Sequence, residues 1–72
     1  RESQFGQSKP DFINKLSISL KEASETEYWL LLLHDASYIQ TGIFEKLQRE
    51  CKSLMNLLAA SIITAKANLK KP

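Results

Sequence analysis

Glu27 and His34 are the two residues whose types could do chemistry together. A carboxylate and an imidazole are the usual partners in general acid–base work. Stepped at 100° per residue on a helix, both project into one apolar face, at about 60° and about 40° from Phe12. Seven residues separate them, which is about 10 Å along a helix axis and too far for a direct hydrogen bond. One reading is a site built on a buried acid and base. The other is a buried polar layer that fixes register through hydrogen bonds across a helical bundle. The separation favours the polar layer.

Other constellations carry less. Di-iron bundles place Glu-x-x-His on inward faces, but Leu31 stands three residues before His34, so the first ligand is missing. Glu22-x-x-Glu25 has the spacing of the acid pairs that hold magnesium in helical nucleotide pyrophosphatases. Such a site needs a second acid pair, and the downstream half offers Glu45 and Glu50. A magnesium-dependent phosphohydrolase would require nucleotide turnover that dies with Glu22→Gln, and none is expected. Cys51 lies on an apolar stripe and reads as a small core residue. Ser/His/Asp groupings, Gly-rich phosphate loops and dinucleotide fingerprints are absent. No catalytic residue, metal site or cofactor is expected.

Basic residues are the last candidates. Lys46, Arg49 and Lys52 rise along the second half, and Lys66, Lys70 and Lys71 end it. On one copy such a face is ordinarily solvation. Repeated around an assembly it sums to a field that attracts phosphates. No aromatic residues interleave for base stacking, so RNA or DNA would be held by phosphate and shape rather than by sequence.

The elements that position these residues are two helices. The 72 residues carry a net charge of +2 and are 43% hydrophobic, with two Gly, two Pro and one Cys. That is too apolar for a disordered tail and too poor in turn residues for many strands. A single cysteine rules out an internal disulfide. The longest apolar run, Tyr28 to Leu33, is far short of a membrane span. A soluble, cytoplasmic, all-α chain is expected, with residues 1–7 a linker or the end of a preceding helix.

Ser8, Pro10 and Asp11 form a helix-start signal. The spacing predicts helices over about 9–36 and 43–69, joined at Ser37–Gly42, with Gln40 or Thr41 capping the second. On the first, Phe12, Ile13, Leu16, Leu20, Ala23, Leu30 and Leu31 share a stripe of roughly 100°. Ile18, Trp29, Leu32, Leu33 and Ala36 fall on nearly the opposite side. On the second, Phe44, Leu47, Cys51, Leu54, Met55, Leu58, Ile62, Ala65 and Leu69 follow a repeat near 3.5. A short loop makes the pair an antiparallel hairpin. One seam cannot cover both faces of YWLLLL. Trp29, Leu32, Leu33 and Ile18 are therefore expected to meet further helices, from upstream or from other copies, as part of an up-down four-helix bundle.

The segments S-K-x-D-F (Ser8, Lys9, Asp11, Phe12), L-K-E-A (Leu20 to Ala23) and E-T-x-Y-W-L-x-L-L (Glu25, Thr26, Tyr28, Trp29, Leu30, Leu32, Leu33) form a specific set. With Ser61, Ile62, Thr64, Ala65 and Lys66, they resemble the bacterial four-helix-bundle family of proteins encoded in intervening sequences of large-subunit ribosomal RNA genes. The same fold occurs in the accessory protein of diversity-generating retroelements. The resemblance covers nearly the whole chain but the second half of the family pattern, whose first two helices lie upstream; Glu2 fits the end of that upstream segment. It implies four-helix subunits that assemble into homopentameric rings, and, for the retroelement member, a basic scaffold binding a reverse transcriptase and nucleic acid. The expectation is a non-enzymatic homo-oligomeric assembly module whose basic surface is available to nucleic acid. The alternative is a protein-partner adaptor or antitoxin-like hairpin with no affinity for nucleic acid.

Overall fold

A computed structural model describes residues 9–70. These form two helices, α1 (Lys9–Asp35) and α2 (Thr41–Leu69), packed against each other along their length. No strand occurs among the described residues. The expected all-α helical hairpin is what the chain forms. The proposed linker at 1–7, the Ser8 cap and Lys71 lie outside the described residues.

No Gly or Pro interrupts α1 after Pro10, and Asp11 places a carboxylate in its first turn, where the helix dipole favours it. The helix ends at a residue with positive φ, Ser37 at 67°. Around it, the Tyr38 N–H donates to the Leu33 carbonyl at 2.8 Å and the Ser37 N–H to the His34 carbonyl at 3.0 Å. This 6→1 and 5→2 pair is a Schellman motif, which satisfies the terminal carbonyls and reverses the chain. Glycine is the ordinary occupant of such a position; here a serine accepts the left-handed conformation. Gln40, extended at φ −74° and ψ 154°, then caps α2 with no side-chain hydrogen bond. Its carbonyl accepts from the Phe44 N–H at 2.9 Å, so α2 starts at Thr41, two residues before the expected Ile43.

The seam is narrower than the apolar stripes. On α1 the buried and half-buried positions are Ile13, Leu16, Leu20, Ala23, Glu27, Leu30 and His34. These alternate in steps of three and four, the a and d positions of a heptad. On α2, Phe44, Gln48, Cys51, Met55, Leu58, Ile62 and Ala65 do the same. Phe12 and Leu31, expected in the α1 stripe, are exposed, as are Leu47, Leu54 and Leu69 on α2. Gln48 takes the seam position that Leu47 was expected to hold. A stripe 100° wide holds positions that flank a two-helix contact as well as positions inside it, and only the latter are buried by one partner.

The core is correspondingly thin. Ile13, Ala23, Phe44 and Cys51 are the buried hydrophobic residues, and no described side chain is fully buried. The hairpin measures 52 × 18 × 16 Å with a radius of gyration of 15.9 Å. A compact chain of this length would have a radius of about 11 Å. Of the YWLLLL run, Leu30 alone is half-buried by α2; the other five side chains are exposed.

Candidate assembly and nucleic-acid interface

Besides Gln48 of α2, the seam carries two polar positions on α1, Glu27 and His34, and each of these two finds its own partner. Glu27 Oε2 accepts from Lys52 Nζ at 2.7 Å, with the Glu27 side chain 18% exposed and that of Lys52 58%. One turn from the loop, the His34 ring stacks on Phe44 with centroids 4.4 Å apart and an interplanar angle of 13°. Its Nε2 is 3.1 Å from Thr41 Oγ1 and its Nδ1 3.9 Å from Asp35 Oδ1. Glu27 and His34 thus lie in the seam, half-buried, without touching each other. Each links α1 to α2 or to its first turn. The acid and base singled out in the sequence, Glu27 and His34, are not brought to one point; the carboxylate near the His34 ring is that of its exposed neighbour Asp35.

Cys51 is also structural in its surroundings. It is 8% exposed, and its thiol donates to the Ala23 carbonyl at 3.1 Å. Glu22 and Glu25 project from exposed parts of α1, and the Glu22 carbonyl accepts from Thr26 Oγ1 at 3.0 Å. Among the described residues no group of three or more His, Cys, Asp or Glu side chains could hold a metal ion. Among them, too, no helix is long and apolar enough to cross a membrane.

Antiparallel pairing gives the hairpin two unlike flanks, because residues just before the a positions of both helices meet on one side and those just after on the other. The first flank is apolar. Thr26, Leu30, Leu47, Glu50 and Leu54 line an open groove there above Ala23 and Cys51, and Phe12 lines a second one with Ser61 and Thr64 nearer the open end. Leu33 continues that flank on α1, and Trp29, Ile43 and Leu57 stand one row further out. Leu57 and Trp29 are 62% and 60% exposed. Trp29 makes an edge contact with Tyr28, with ring centroids 5.8 Å apart. Leu32 and Ile18 lie on the back of α1, 39% and 49% exposed. The four proposed interface residues are therefore all uncovered by α2, but they divide between this flank and the back.

The second flank is charged. Lys52 and Lys66 border the seam on α2, and Arg49 and Lys70 stand one row out; all four are exposed. Lys46 sits on the back of α2, beside Arg49 in a shallow depression with Glu50 and Ser53. Lys52 is engaged by Glu27, which leaves its charge partly offset. Lys21 of α1 joins this flank and was not among the candidates. Its position on α1 alone carries no signal, since only the antiparallel pairing sets it beside the α2 cations. Glu45 and Asp35 are exposed acids on the same side, and Tyr28, Leu31 and Ile63 are exposed there too.

The model of the 23S rRNA-intervening sequence protein family matches residues 1–60. No curated protein and no solved structure gives a significant match.

Proposed function

Because the chain belongs to the 23S rRNA-intervening sequence protein family, we propose that it acts as a non-enzymatic assembly module, a hairpin that joins further copies of itself into a larger helical bundle. The observation that carries this reading is the uncovered apolar flank. Leu54, Leu57 and Trp29 stand 48%, 62% and 60% exposed beside a core of four buried hydrophobic residues. Apolar side chains clustered on one flank mark an interaction surface. The core of this elongated hairpin is thin, and burying the flank against a partner would add to its stability.

Assembly through the apolar flank leaves the basic flank facing outward. Lys21, Arg49, Lys66 and Lys70 then recur once per copy, and their summed field supports binding of RNA or DNA by its phosphates. Light scattering on the purified chain tests the first part. A discrete multimer supports assembly, and a monomer at every concentration overturns it. Labelled RNA titrated at rising salt tests the second: binding that falls steeply between low and moderate salt supports the reading, and no binding at low salt leaves an adaptor that meets protein alone.

A further inference from the structure

We infer that the nucleic acid on the charged flank is single-stranded, with an unpaired base stacked on Tyr28 and the neighbouring phosphates on Arg49, Lys52 and Lys21. This rests on the nucleic-acid part of the proposed function and deepens it by naming the class of ligand.

The flank is not uniformly charged. Tyr28, Leu31 and Ile63 stand on it 57%, 41% and 70% exposed, among Lys21, Arg49, Lys52, Lys66 and Lys70. A duplex turns its phosphates and sugars outward and keeps its base faces stacked inside. It would leave Tyr28, Leu31 and Ile63 without a partner. A single strand presents phosphates and open base faces together, the mixture that this flank accommodates. No aromatic residue lies among the α2 cations in sequence; the antiparallel pairing supplies one from α1. Stacking on a single ring tolerates any base, so no sequence preference is expected.

The Glu27–Lys52 bridge sets the geometry. Tyr28 follows Glu27 directly, and Arg49 lies about one turn before Lys52. The 2.7 Å contact therefore places Tyr28 on the α1 rim and Arg49 on the α2 rim at nearly the same height. The Lys52 ammonium has three donors and gives one to Glu27 Oε2, which leaves two for a phosphate. Lys21 and Arg49 form no ion pair with another described residue. The edge contact with Trp29, at 5.8 Å, restricts the Tyr28 ring while more than half of the residue stays in water. Lys21 lies about 10 Å from Tyr28 toward the open end, the span of about three stacked nucleotides. Asp35 and Glu45 mark the turn end of the flank, and Lys66 and Lys70 the open end. The acids repel phosphates and the lysines attract them, so the strand runs from Tyr28 toward the open end. From Arg49 to Lys70 the path is about 32 Å, or about nine nucleotides, within the range of single-strand sites.

The test compares a labelled oligouridylate of about 12 nucleotides with an RNA duplex of the same length, each titrated with the purified chain at low salt and read by fluorescence anisotropy. The single strand is expected to bind at least about fivefold tighter. Tyr28→Ala should weaken it about tenfold and leave its salt slope unchanged, because stacking releases no counterions. Tyr28→Phe, which keeps the ring, should bind as the unaltered chain does. Arg49→Ala should flatten the salt slope by about 0.7, one phosphate contact of a single strand. Tyr28 is exposed and lies outside the seam, so neither of its variants opens the hairpin. Equal or tighter binding of the duplex, an unchanged affinity in Tyr28→Ala, or an equal loss in Tyr28→Phe overturns this inference and leaves the nucleic-acid reading standing. No binding of either probe at low salt overturns both.

Discussion

Glu27 Oε2 and Lys52 Nζ meet at 2.7 Å, joining a seam position of α1 to the charged flank of α2. The carboxylate is mostly covered while the ammonium is mostly in water, so the two partners are not equivalent. Removing Lys52 leaves a half-buried acid without its counter-charge. Removing Glu27 frees a solvated lysine that water accommodates.

This asymmetry gives the first prediction. Lys52→Ala should lower stability by about 1 kcal/mol, because the cost sits with the stranded carboxylate. Glu27→Leu should raise it by a similar ~1 kcal/mol, because leucine extends the apolar seam. Urea unfolding followed by helical circular dichroism checks both. Equal losses from the two variants would mean that the pair stabilises as a unit.

Ser37 holds a φ of 67° with a side chain that disfavours it. Ser37→Gly should therefore stabilise the chain by about 1 kcal/mol, the relief of a left-handed residue less glycine's greater unfolded entropy. The thermal midpoint should rise by several degrees. A fall would mean that the serine side chain contributes a contact worth more than the strain.

Phe44 is the largest buried side chain of α2 and the platform for the His34 ring. Phe44→Ala should cost about 3 kcal/mol, a large share of what a core this thin can supply. Helical signal at 25 °C should drop markedly. Phe44→Leu, which keeps most of the volume but not the stack, should cost less than half as much.

Trp29→Asp places a charge on the flank opposite Glu27–Lys52 without touching the seam. Assembly should be lost while helices remain detectable at high concentration. An unchanged particle mass from light scattering would sink the assembly reading at this flank.

Arg49→Glu combined with Lys66→Glu reverses two cations of the charged flank. Affinity for labelled RNA should fall at least tenfold at low salt, and the salt slope should flatten by about two counterions per copy. Particle mass should not change. Loss of binding with an unchanged slope would place the phosphates elsewhere.

The sequence by itself determined the helices and their pairing. An uninterrupted run from Asp11 to Asp35, a turn-rich gap, and a second run with a repeat near 3.5 leave little else for this chain to form. It also held the mismatch between apolar surface and partner, since six large residues in a row must surround a helix. What the residues do on the surface was decided by the fold. Periodicity gives each side chain an angle about its own helix axis, but the angle that faces the partner depends on how both helices rotate and slide against each other. That is why Leu47 and Leu54 left the seam and Gln48 entered it. It is also why Lys21 joined cations more than twenty-five residues away. The turn was hidden for a related reason: Ser37 carries no glycine signal, and its positive φ is imposed by the hydrogen bonds that close α1.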